Sequence, residues 1–238
     1  MTTHLVWFRN DLRITDNRAL HAACEDPQAR VIAVFVATPE QWKRHEMAPR
    51  QAMFIYQHLQ ALQHALAERG IGLHYHQCDD FADSVTWLKD FCKTEKVDAL
   101  FYNKQYEFNE RQRDAALEYA VSESVICHAF DDSLLLPPGS VMTGNNEMYK
   151  VYTPFRRAFL SRLTESDSRS LPAPQARENA EKVVTHRLMP FDYPLADIGD
   201  HFAIGEEAAR NRLRSFCRER VRDSLEHRIF PGVAGPIP

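Results

Sequence analysis

The stretch His4-Leu-Val-Trp-Phe-Arg-Asn-Asp-Leu-Arg-Ile-Thr-Asp-Asn-Arg-Ala19 decides the reading of the fold. Leu5, Val6, Trp7 and Phe8 form a short apolar run rich in β-formers, the pattern of a strand buried on both faces. Asp16 or Asn17 has the chemistry of an N-cap for a helix starting near Arg18. Between them lies Arg9-Asn-Asp-Leu-Arg13. A strand–loop–helix unit that cradles phosphate usually has glycines there, so that the backbone can approach the anion. This loop has none; it carries two arginines and an aspartate instead. The plain reading is a salt-bridged loop that fixes the strand–helix corner, with ligand contact as the alternative.

Outward from this stretch, strand and helix patterns alternate. Residues 31–36 read as a second buried strand, followed by a loop containing Pro39 and Pro49. A long helix over 50–69 carries Phe54, Ile55, Leu59, Leu62 and Leu66 at helical spacing, and Gly70 ends it. Residues 73–77 form a third strand. A helix over 81–93 turns Val85, Leu88 and Phe91 inward. Residues 99–102 are a fourth strand, 109–120 a helix and 125–130 a fifth strand. This alternation predicts an α/β fold, a five-stranded doubly wound parallel sheet of Rossmann-like type over residues 1–132.

Near Asp131 the pattern stops. Pro137-Pro138-Gly139 and Thr143-Gly144-Asn145-Asn146 punctuate an irregular stretch, relieved by a short helix over 156–163. Residues 164–194 are rich in Ser, Pro, Ala and charge, so 133–204 reads as a connector. A last helix over 206–222 follows Gly205, and turn formers run to Pro238.

The 238 residues are 44% hydrophobic and 26% charged, which suits one large or two small globular domains. A net charge of -4 gives no overall attraction to nucleic acid, although a local basic patch remains open. Five dispersed cysteines without C-x-x-C spacing point to reduced thiols rather than disulfides or zinc. No signal-peptide pattern and no apolar run of ~18 residues occurs, and the expected location is cytoplasmic, with no membrane partner. Glycine-rich phosphate loops, a G-x-S-x-G elbow and H-E-x-x-H are all absent. His74 and His76 share one face of a strand, but Asp79-Asp80 do not complete a metal set, so no metal is expected. Arg210, Arg212, Arg214, Arg218, Arg220 and Arg222 read as a solvated face paired with Glu206, Glu207 and Glu219.

In a parallel sheet of this kind, ligands bind beyond the carboxyl ends of the strands, where strand order reverses. After the second strand come Trp42, His45 and Arg50; His45 is either a solvated loop residue or a ligand contact. After the fourth comes Asn103-Lys-Gln-Tyr-Glu-Phe-Asn-Glu-Arg111. Asn109 and Glu110 stand where the next helix begins, and residue chemistry leaves capping and ligand binding both open.

Three stretches go further: Val6-Trp-Phe-Arg-Asn-Asp-Leu-Arg13 with Asp16-Asn17-Arg-Ala-Leu20, Phe101-Tyr-Asn-Lys-Gln-Tyr-Glu107, and Asn145-Asn-Glu-Met-Tyr-Lys-Val-Tyr-Thr-Pro-Phe155. Together they resemble the N-terminal half of the DNA photolyase/cryptochrome family, closest to bacterial class I cyclobutane pyrimidine dimer photolyases of the folate type. The resemblance runs from residue 1 to about 231. It implies an antenna domain that passes excitation from 5,10-methenyltetrahydrofolate to FAD, which a C-terminal helical half holds beside UV-damaged DNA. It assigns antenna contacts to His45, Asn109 and Glu110, with no catalytic residue in this half, and makes 205–238 the start of the helical FAD domain.

The departures lie at the end. Relatives tend to show Tyr-x-x-x-Arg-Asp/Asn-x-Pro, with the Tyr on the flavin; Ser224-Leu-Glu-His-Arg-Ile-Phe-Pro231 keeps Arg228 and Pro231 but has Ser224 and Ile229. Gly235-Pro-Ile-Pro238 then stands in place of the phosphate-contacting Thr-Ser-Lys/Arg-Leu-Ser run. The resemblance therefore implies an antenna half without the FAD half: no repair activity alone, an incomplete folate cleft, and an exposed flank suited to association. Intact relatives are expected to be monomers. The alternatives are a free-standing pterin- or nucleotide-binding module, a partner of a separately encoded helical FAD domain, and a cryptochrome-type photoreceptor fragment.

Overall fold

The structure, a computed structural model, describes residues 1–177, 183, 188–199, 202–219 and 221. The expectations placed on Arg220, Arg222 and the 224–238 tail lie outside the described residues. Strands β1 (Thr3–Phe8), β2 (Arg30–Ala37), β3 (Gly72–Gln77), β4 (Ala99–Asn103) and β5 (Ile126–Phe130) make one sheet in the order β3-β2-β1-β4-β5. Every pairing is parallel; β1 aligns Val6 with Ala33 of β2 and with Phe101 of β4. The helices are α1 (Arg18–Ala23), α2 (Pro39–Arg44), α3 (Pro49–Ala67), α4 (Phe81–Glu95), α5 (Phe108–Val121), α6 (Tyr152–Arg162) and α7 (Glu206–Glu219), with a 3-10 turn at Glu165–Ser168.

β1 is central because both of its faces are apolar. Val6 and Phe8 pack with Phe35, Leu20 and Leu59 on one face of the sheet. Leu5 and Trp7 pack with Val34, Leu88 and Leu117 on the other. The chain runs from β1 outward to β2 and β3, then returns to β4 on the opposite side of β1, so strand order reverses at β1.

Several expectations are corrected. The segment after β2, expected as a loop, contains α2, with Pro39 preset at its first turn and Trp42 packed against the core. Phe54, one of the apolar positions at helical spacing on the long helix, is 36% exposed and lies against His58 and Phe202. Val85, Leu88 and Phe91 do turn inward as expected, Leu88 fully buried and the other two half-buried against it. α6 begins at Tyr152, ahead of the expected 156, because Pro154 falls in its first turn, where no N–H bond is required. The stretch read as a connector sends residues back into the core. Leu188, Phe191 and Ile198 are buried, and Phe191 meets Phe35, Trp42, Tyr56 and Tyr75 at 4.9–6.3 Å between ring centroids. Tyr56 Oη donates to the Leu188 carbonyl at 2.8 Å and Tyr193 Oη to the Met47 carbonyl at 2.5 Å. α6 and α7 contain no buried residue.

Candidate functional site

Two polar assemblies leave the carboxyl ends of β1 and β4. The first closes the corner between β1 and α1. Asn17, not Asp16, is the N-cap: its Oδ1 accepts from the Leu20 N–H at 3.0 Å. Asp11 accepts from the Arg9 N–H at 3.0 Å, from Asn17 Nδ2 at 3.1 Å and from Asn103 Nδ2 at 2.7 Å. Asn103 Oδ1 in turn accepts from the Ala19 N–H at 3.1 Å. Arg13 donates to the Asp16 carbonyl and to Asp132, whose other oxygen accepts from the Arg18 N–H at 2.9 Å. Asp11 and Arg13 therefore brace the corner.

Arg9, expected beside them, turns the other way. Its guanidinium is buried, donates to the Asn103 carbonyl and lies 3.3 Å from Asp114. It sits 4.4 Å from the centroid of the Trp7 ring and 4.7 Å from that of Tyr102. Arg113 lies 4.6 Å from the same Trp7 centroid and 4.7 Å from that of Phe81, and donates to Asp114 at 2.8 Å and to Gln105 at 2.8 Å. Burial pushes the Arg9 guanidinium down to about 10, with Asp114 opposing; it is charged at neutral pH.

These arginines and Trp7 wall a cleft of about 440 Å³ at the point of strand reversal. His45, Asn109 and Glu110 all line it. α2 delivers His45 as its C-cap, with Nε2 2.9 Å from Gln41 Nε2. α5 delivers Asn109 and Glu110 in its first turn. Neither caps the helix: the N-cap is Glu107, without a side-chain cap bond. Among the described residues no protein group bonds the Asn109 amide or the Glu110 carboxylate. Trp7 Nε1 and Arg9 Nε are buried without a partner among the described residues. Apolar Met47, Ile55 and Phe108 complete the lining. A flat heteroaromatic ligand with paired N–H groups fits this set: apolar walls for its faces, a free carboxylate and carboxamide for its edge.

Trp7, Phe81 and Arg113 were missed in the sequence. Trp7 and Arg9 are two apart on one side of the strand end, and Arg113 sits four before the buried Leu117 on α5, which marks the inner face of that helix. His74 and His76 do share a face, but they pack on aromatic rings of α4, at 5.0 Å from Phe91 and 4.2 Å from Trp87. Burial holds both imidazoles below their ordinary value, and no metal-holding cluster exists among the described residues. Among those residues no helix is long and apolar enough to cross a membrane.

A doubly wound sheet with an arginine- and aromatic-walled cleft at its switch point defines the class: a Rossmann-like α/β domain with a ligand-sized cleft. Comparison with known proteins narrows it. The family described as DNA photolyase matches residues 4–177. The deoxyribodipyrimidine photo-lyases of Salmonella typhimurium and Escherichia coli are 50% and 48% identical over 236 residues, which is 99% of this chain and 50% of each relative. A crystal structure of a bacterial class III photolyase from Agrobacterium tumefaciens matches with a TM-score of 0.72 at 26% identity, over 92% of this chain and 45% of that one. The chain belongs to the DNA photolyase family, and it spans about half the length of the curated relatives it matches.

Proposed function

We propose that the chain is the light-harvesting half of a deoxyribodipyrimidine photolyase and that its cleft takes 5,10-methenyltetrahydrofolate. In this reading Asn109 and Glu110 hold the N–H edge of the pterin, and His45 closes the rim. The observation that carries it is the pair at the start of α5: a carboxylate and a carboxamide, side by side in a partly apolar cleft, neither bonded by any of the described residues. The pigment when bound supplies near-UV absorption; this chain's residues orient it and exclude water from its faces. Residues 1–132 form the antenna domain, 133–204 the connector, and 205–238 the beginning of the helical FAD domain. FAD, UV-damaged DNA and dimer repair belong to the whole protein, which is cytoplasmic, and the chain alone does not repair DNA.

Titration of the purified chain with 5,10-methenyltetrahydrofolate, followed by near-UV absorbance, tests the site. Saturable uptake lost in the Asn109→Ala/Glu110→Ala double variant is expected; undiminished uptake in that variant overturns the assignment. Dimer-containing DNA with FAD under near-UV light tests the division of labour, and any repair by the chain alone contradicts it.

A further inference from the structure

Trp7 has an electrostatic setting that pigment binding does not require. Two guanidinium carbons lie 4.4 and 4.6 Å from its ring centroid, while a single carboxylate, Asp114, serves both arginines. The indole is 2% exposed, and its Nε1 has no acceptor among the described residues. Trp42, which lines the same cleft, meets the rings of Phe191 and Tyr193 instead, and no guanidinium of the described residues stands over it.

An indole beside an excited, electron-poor heterocycle is a quencher. One electron leaves the indole, giving an indole radical cation and a ligand with one extra electron; recombination restores both and dissipates the excitation as heat. Nearby positive charges favour the neutral ring, whose face is electron-rich, and disfavour its radical cation. An Nε1–H without an acceptor also denies that cation the proton loss that would stabilise it as a neutral radical. We propose that Arg9 and Arg113 raise the oxidation potential of Trp7, so that this central strand residue does not drain excitation from a pigment in the cleft. The role of the pigment rests on the antenna reading; the altered potential of Trp7 does not.

The test begins without pigment. In a Trp42→Phe/Trp87→Phe background Trp7 is the sole indole, and protein-film voltammetry reads its potential; a Trp7→Phe/Trp87→Phe chain gives Trp42 as the reference. Trp7 is expected above Trp42. Arg113→Met is expected to shift Trp7 downward, Arg113→Lys to leave it near the parent, and Asp114→Asn, which removes the shared anion, to shift it upward. Shifts of opposite sign separate charge from loosened packing, which moves both variants in the same direction. Equal potentials for Trp7 and Trp42, or shifts of one sign, overturn the proposal. The same proteins are then loaded with 5,10-methenyltetrahydrofolate. Arg113→Met is expected to shorten the pigment's fluorescence lifetime, and adding Trp7→Phe to restore it. Uptake with an unchanged lifetime overturns the protective role. A parent chain that takes up no pigment overturns the antenna reading instead, and the voltammetry still decides the potential of Trp7.

Discussion

The corner between β1 and α1 and the cleft beside it draw on the same loop and the same strand ends, yet they end in opposite states. In the corner, Asp11, Asn17 and Asn103 satisfy one another and the start of α1. In the cleft, among the described residues, no protein group bonds Glu110 or Asn109, and Trp7 Nε1 and Arg9 Nε are orphaned. A buried donor without a partner costs about 1–3 kcal/mol, so a fold keeps few of them. Polar residues that close a network read as structure. Those left open at a switch point read as places where a ligand completes the bonding.

The largest expected effect falls on the closed side. Asn103 is 5% exposed and joins Asp11, Asn17 and the Ala19 N–H. Asn103→Ala removes three hydrogen bonds and leaves the Ala19 N–H without an acceptor, while Asp11 and Asn17 keep the Arg9 and Leu20 N–H groups, and a loss of about 3 kcal/mol in unfolding free energy is expected. Urea denaturation with an unchanged m-value measures it. A loss below about 1 kcal/mol would mean that water replaces the amide and that the corner is not sealed.

Much of this contrast was hidden in the sequence. The strands were legible because β1, β2 and β4 are apolar on both faces, a local signal of a covered parallel sheet. α2 was not, since its short Pro39–Arg44 segment is anchored by Trp42 through tertiary contact with Phe191, more than a hundred residues away. The same holds for Leu188, Phe191 and Ile198: scattered among prolines and aspartates, they carry no period, and Leu188 and Phe191 become core through contacts with distant elements, Phe191 with rings on β2, α2, α3 and β3. At the site, residue chemistry alone left Asn109 and Glu110 balanced between capping and binding, and resemblance tipped the balance. Arg9 was grouped with Asp11 and Arg13 because neighbours in a loop look equivalent until the pleat separates their directions.

A middle-sized effect probes how far the seal depends on the end of the described chain. Glu206 Oε2 accepts from the Ile14 and Thr15 N–H groups at 3.1 and 3.3 Å, and Oε1 pairs with Arg210 at 2.6 Å. Burial pushes this carboxyl upward, but the bonds from Thr15 and Ile14 and the charge of Arg210 outweigh it and hold the carboxyl below its ordinary 4.5. The folded form thus binds the proton less readily than the unfolded one. Its contribution is complete above about pH 4.5 and is lost as pH falls through the depressed folded value. Glu206→Gln is expected to cost about 1 kcal/mol at neutral pH and to flatten that acid limb. Parallel acid limbs in parent and variant would show that α7 does not lock the loop.

The smallest effect on stability belongs to the open side, and it is the sharper test of the comparison. Asn109→Ala/Glu110→Ala removes two side chains that no protein group among the described residues bonds, so unfolding free energy is expected to change by no more than about 0.5 kcal/mol. Removing Glu110 subtracts a favourable charge from the first turn of α5, a loss of a few tenths of a kcal/mol at most for an exposed helix end. The same substitutions are expected to abolish pigment uptake. Stability kept while uptake is lost is the signature of residues held for a ligand. A destabilisation of the size expected for Asn103→Ala would instead move Asn109 and Glu110 to the structural side and leave the cleft without its polar edge.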